Sequence, residues 1–177
     1  MEKHRILFTS IVTVFLWQAG SAQTSLWDRL EYFKGDWKGH ETGRSGIGVG
    51  TRTYSYILGN KYILSKNQSK FEPQEKNPKG EVHQDWTIFS RDNGRRTVVM
   101  RQFNSEGFVN TFTLDTLAST SETMIFVSES SENAPPGLRA RLTFLLENKD
   151  EFVETFELAF PGKDYSQWLR NEWTRKK

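Results

Sequence analysis

Gly35-Asp36-Trp37-Lys38-Gly39-His40-Glu41, near the start of the chain, and Trp173-Thr174-Arg175, at its end, decide the fold when they are read together. A helical stretch precedes the first of them. Ser25 can cap it, Leu26, Leu30 and Phe33 fall on one face, and Asp28 lies near the positive end of the helix dipole. Gly35 stops that helix. From there the apolar pattern has period two, broken at regular intervals by turn chemistry such as Leu58-Gly59-Asn60-Lys61, Asp92-Asn93-Gly94, Pro135-Pro136-Gly137 and Pro161-Gly162. This spacing predicts strands near 36–42, 48–58, 61–69, 81–90, 95–103, 108–115, 122–129, 138–147, 151–160 and 166–175. Sequential hairpins with one short helix and no crossover helices predict an all-β chain, either an up-and-down antiparallel barrel or a two-sheet sandwich. Closure into a barrel is favoured because it leaves no unpaired strand edge. The longest irregular piece, Lys70 to Gly80 with Pro73 and Pro78, reads as a polar rim or lid.

The 177 residues are 36% hydrophobic, 14% aromatic and 26% charged, a balance that suits one core. Lys3 and Arg5 precede an apolar run from Ile6 to Trp17, followed by Gly20-Ser21-Ala22. That run is too short to span a bilayer, and the small residues suit cleavage before Gln23, so residues 1–22 are expected to be a secretory signal and 23–177 the domain. A secreted or periplasmic location follows. Loss of Glu2, Lys3 and Arg5 with the signal leaves 22 basic against 21 acidic residues, nearly neutral. No basic block interleaved with aromatics is present and no later segment reaches spanning length, so neither a nucleic-acid partner nor stable membrane insertion is expected. The absence of cysteine excludes a disulfide framework, thiol chemistry and a cysteine-held metal.

A short helix leading into Gly-x-Trp on the first strand, with an Arg closing the last, resembles the calycin superfamily of lipocalins and fatty-acid-binding proteins. That resemblance implies that the first and last strands are neighbours. Gly35 then gives the tight turn, Trp37 plugs the closed end, and Arg175 lies across the indole in a cation–π contact of about 0.5 to 2 kcal/mol. Within the chain, His83-Gln84-Asp85-Trp86-Thr87-Ile88-Phe89 resembles the His-x-Glu-x-Gly-x-aromatic strand of nitrobindin-like barrels. Tyr56-Ile57-Leu58-Gly59-Asn60-Lys61-Tyr62-Ile63 and the ending Trp173-Thr174-Arg175-Lys176 are similar to a related family of secreted bacterial proteins of unknown function.

Residues two apart on a strand share a face. His83, Asp85, Thr87 and Phe89 therefore oppose Val82, Gln84, Trp86 and Ile88. Composition alone places the second set inward, whereas the nitrobindin-like resemblance implies that His83 and Asp85 face a cavity. Glu154 interrupts the apolar face Phe152, Phe156, Leu158, Phe160, so it lies either at a wet rim or beside a cation, since an unpaired buried charge costs several kcal/mol. Arg139 and Arg141 are the nearest candidates in sequence. Arg101 and Arg170 are in reach of a carboxylated ligand if they point inward, and Trp168 shares the Arg170 face. Nitrobindins carry a haem-ligating His on the last strand; the matching position here is Trp168, which cannot ligate iron, so no cofactor and no metal are expected. Gly46, Gly48 and Gly50 mark a strand where a neighbour or ligand approaches closely.

These features predict a non-enzymatic exported protein enclosing a small hydrophobic or amphiphilic molecule. The alternatives are a haem-binding nitrobindin-like protein with His83 as ligand, and a barrel enzyme using His83, Asp85 or Glu154 for acid–base chemistry.

Overall fold

The computed structural model describes residues 26–177; the predicted signal segment and the Ser25 cap lie outside the described residues. Ten antiparallel strands close into a barrel: β1 (Gly35–Gly43), β2 (Gly46–Ile57), β3 (Tyr62–Phe71), β4 (Glu81–Asp92), β5 (Thr97–Asn104), β6 (Val109–Leu114), β7 (Thr123–Glu132), β8 (Arg139–Asn148), β9 (Glu151–Ala159) and β10 (Ser166–Arg175). Each strand pairs with the next in sequence, and β1 pairs with β10. The alternation of the sequence is the alternation of the wall, and the sandwich alternative is excluded by the β1–β10 pairing.

The lead-in helix is a 3-10 helix, Asp28–Phe33, rather than an α-helix. Its three-residue turn places Trp27, Leu30 and Phe33 on one face, all buried beneath the barrel floor. There Phe33 meets Tyr54, Phe144 and Phe152 at ring separations of 5.3, 5.2 and 5.0 Å.

Closure occurs where the two ends meet. Trp37 and Arg175 are direct partners across β1 and β10, and the guanidinium stands 4.2 Å from the indole centroid. Arg175 also donates to Lys34 O at 2.6 Å and to Tyr32 O at 2.7 Å, tying the last strand to the end of the helix. Gly35 has φ +112°, a left-handed conformation that side chains rarely adopt, and makes the turn into β1.

The glycine run has a specific packing role. A Cβ on Gly50 would stand 2.1 Å from Glu41 Oε1 and 2.7 Å from the Trp173 ring, and one on Gly39 would stand 2.8 Å from the same ring. Bare backbone at these points makes room for a large aromatic and a carboxylate on the inner wall. The 70–80 loop is tethered, not free. Gln74 bridges to Asn77, and its side-chain amide clamps the backbone of Ile47 at 2.8 and 2.9 Å.

Candidate functional site

The end of the barrel opposite the helix encloses a cavity of about 350 Å³. Its upper wall is apolar, with Leu138, Leu142, Phe156 and Leu158. Its floor is ionic. Arg52 on β2 donates through one terminal nitrogen to Glu154 on β9 at 2.9 Å and through Nε to Asn67 on β3 at 3.1 Å. The same terminal nitrogen reaches the Tyr54 hydroxyl at 3.2 Å, and the guanidinium lies on the Trp173 ring, 4.1 Å from its centroid. Glu154 accepts in addition from Trp173 Nε1 at 2.9 Å and from Asn171 Nδ2 at 3.4 Å. Side chains of Arg52 and Glu154 are only 7% and 6% exposed, so this is a buried ion pair with its surrounding donors and acceptors in place. Burial works against the Arg52 charge, but Glu154, Tyr54 and Asp85 outweigh it and hold the guanidinium firmly protonated.

A second polar chain runs up β3 and β4. Asn67 donates to Asp85 at 3.0 Å and to Ser69 at 3.1 Å; the Ser69 hydroxyl donates to Glu41 on β1 at 2.6 Å. Thr87 donates to Asp85 at 3.2 Å. His83 stands above, its Nε2 3.4 Å from Asp85 and its Nδ1 2.6 Å from Glu106 at the mouth. Burial would lower the imidazole pKa, but hydrogen bonds to the two carboxylates prevail and push it up to about 9. Burial likewise opposes the Asp85 charge, and His83, Arg52 and Asn67 overcome it, lowering its pKa. Glu41 goes the other way: burial raises it, and Ser69 and Arg52 offset that only in part.

These shifts give a pH dependence whose sign is fixed. The His83 proton is bound more tightly in the folded chain than in the unfolded one, so its contribution is complete below pH 6.5 and is lost as pH rises through about 9. Denaturant melts on either side of that window should show a loss of about 1 to 2 kcal/mol, after allowance for solvent screening at the mouth. His83→Gln should remove the slope; a slope unchanged in that variant would mean that another group carries it.

His83 and Asp85 face inward, together with Thr87 and Phe89, while Val82 and Trp86, 55% and 54% exposed, are on the outer surface. Glu154 is at the floor, but its cation is Arg52, three strands away through the β1–β10 closure, not Arg139 or Arg141 of the preceding strand. Arg141 instead pairs with Glu157 at 2.6 Å, and Arg139 lies over Tyr165. Arg101 points outward, bonded to the Ser90 hydroxyl at 3.1 Å, because its neighbours Gln102 and Met100 take the inner positions. Arg170 is also outside, paired with Glu172. Neither arginine reaches the cavity. Trp168 does line the cavity, because a bulge between Gln167 and Leu169 turns both Trp168 and Leu169 toward the mouth; Arg44 covers its ring at 4.3 Å.

Among the described residues the histidines are His40, exposed on the outer wall, and His83, whose two ring nitrogens each face a carboxylate. The same engagement leaves His83 no free nitrogen to act as a base. Glu41, Arg52, Asn67, Ser69 and Asn171 were not singled out as cavity residues by the sequence, and Trp173 was read only as part of the closing motif. Their common signal was available: Gly46, Gly48, Gly50, Arg52 and Tyr54 occupy one face of β2, and a charge on that face has to be answered from within the barrel. A groove of about 550 Å³ on the outer wall, along Lys38, His40, Thr51 and Thr174, has no such buried polar floor.

The sequence matches no family model, and no curated protein matches it. Among solved structures the chain is similar to the crystal structure of Rv2717c from M. tuberculosis, with a TM-score of 0.59 and 13% identity over 84% of this chain and 98% of that one. The structure of EF1p2_mFAP2b bound to DFHBI covers 86% of this chain and 100% of its own at 12% identity, but its TM-score of 0.36 is too low to inform this one. The first likeness is one of fold. What this chain shows is a closed ten-strand antiparallel barrel with a plugged floor and a lined, open mouth.

Proposed function

We propose that the chain is an exported, non-catalytic binding protein that encloses a small hydrophobic or amphiphilic molecule in the barrel, in the manner of the nitrobindin-like calycins. The observation that carries this reading is the cavity itself: apolar walls above a floor of fixed, mutually bonded charges. Such a floor orients a ligand without reorganising, because its side chains are already held by one another. Export is supported by Lys3, Arg5, the apolar run Ile6 to Trp17 and Gly20-Ser21-Ala22.

The neutral dye N-phenyl-1-naphthylamine tests the binding reading. Its emission should rise on mixing with the protein and saturate at one equivalent, and Leu158→Trp, which fills the cavity, should abolish the rise. Absence of enhancement, or enhancement undiminished in Leu158→Trp, would place any binding outside the barrel and overturn the reading.

A further inference from the structure

Among the described residues that line the cavity, the carboxylates are Glu41, Glu81, Asp85, Glu106 and Glu154, and the cations are Arg52 and His83. Both cations are already paired with acids of the lining. Arg52 is bonded to Glu154, Asn67 and Tyr54 and covered on one face by Trp173, and His83 is held between Asp85 and Glu106. A carboxylate entering here would meet five acids against two cations already paired with members of that set. The acceptors are less well satisfied. Glu41, 3% exposed, takes a hydrogen bond from Ser69. Asn171, 5% exposed, has a carbonyl oxygen with no donor. These two residues are direct partners across β1 and β10, both on the inner wall, and Asn171 is in turn the partner of Glu154 on β9. Three acceptor side chains on three adjacent strands thus stand at one level of the barrel.

We propose that the ligand is a cationic amphiphile, a primary ammonium group on a hydrocarbon tail, with the head seated on Glu41 and Asn171. This rests on the reading of the barrel as a binding protein and specifies its ligand class. An ammonium carries three N–H donors and no acceptor, which complements a carboxylate beside an unpaired amide oxygen. Its charge offsets the excess of acid, and the tail lies along Leu142, Phe156 and Leu158. Burial raises the Glu41 carboxyl, and an ammonium beside it would favour the charged form. A neutral alcohol would gain the tail contacts alone, and a fatty acid would lose against repulsion.

Octylammonium, octanol and octanoate, titrated into the protein as competitors of the naphthylamine dye, separate the possibilities, since they share a tail and differ in head. Octylammonium should displace the dye at least about tenfold more tightly than octanol, and octanoate should be the weakest. The near-isosteric Glu41→Gln should weaken octylammonium by about tenfold and leave octanol unchanged, the octanol value certifying that the variant is folded. Octanoate binding as tightly as octylammonium, or octylammonium indifferent to Glu41→Gln, would overturn the ammonium head while leaving the cavity reading intact. If none of the three displaces the bound dye, the head-group assignment falls while the cavity reading stands on the dye and its loss in Leu158→Trp.

Discussion

Arg52→Met should destabilise the barrel by about 3 to 5 kcal/mol, because it leaves Glu154 charged, buried and without its cation. Methionine fills much of the same volume, so the loss is electrostatic and not a cavity effect. The compensating change is Glu154→Gln. Glutamine keeps an acceptor for Trp173 Nε1, which Glu154 now engages at 2.9 Å, and carries no charge. The double variant Arg52→Met/Glu154→Gln should recover about half or more of the loss, whereas the same two changes at independent sites would add. Denaturant melts of the four proteins of this cycle measure the coupling. A double variant as unstable as the sum of the singles would mean that Arg52 acts through Asn67 and Tyr54, its other partners, and not through the ion pair.

That pair also shows where the sequence stops being legible. Period-two alternation and turn residues were sufficient for ten strands and their order, because both are local, and the two ends were sufficient for closure. Which side chains meet across the lumen is a different matter. Glu154 and Arg52 are far apart in the chain and three strands apart through the closure, so no hairpin register relates them. Reading outward from Glu154 along the nearest hairpin leads to Arg141, which sits opposite Glu157 and pairs with it outside the barrel. The charged residue on the glycine face of β2 was the better guide, since small residues there leave the inner wall to Trp173 and Glu41.

Strand β4 makes the opposite point. Hydrophobicity favours Trp86 over Asp85 for the interior, yet Trp86 lies outside beneath Lys66, 4.4 Å from its ring centroid, and Asp85 is 5% exposed within. The lined end of this barrel inverts the usual rule locally. Polar groups line the cavity, provided each finds a partner, and aromatic surface is tolerated outside when a long side chain covers it. Only the resemblance to the nitrobindin-like strand pointed to the inward side of His83 and Asp85; alternation alone was symmetric between the two faces.

The closing contact yields the second large effect. Trp37 is fully buried, donates from Nε1 to Phe33 O at 2.6 Å, and packs edge-on against Phe152 at 4.8 Å, so Trp37→Ala should cost about 3 to 5 kcal/mol. Arg175→Ala should cost more than a cation–π contact alone. Its guanidinium also serves the carbonyls of Tyr32, Lys34 and Lys149 and stands 3.3 Å from Asp150, and losing these at a half-buried site brings the total to about 2 to 3 kcal/mol. The double variant should fall short of the sum by about 1 kcal/mol, since either single change already breaks the indole–guanidinium contact. Arg175→Lys separates the two parts: a lysine keeps the charge over the ring but cannot reach three carbonyls in one plane, so it should restore the coupling to Trp37 while recovering only part of the stability. Strict additivity of Trp37→Ala and Arg175→Ala in urea melts would mean that the barrel is held shut by the backbone ladder between β1 and β10, with the two side chains contributing independently.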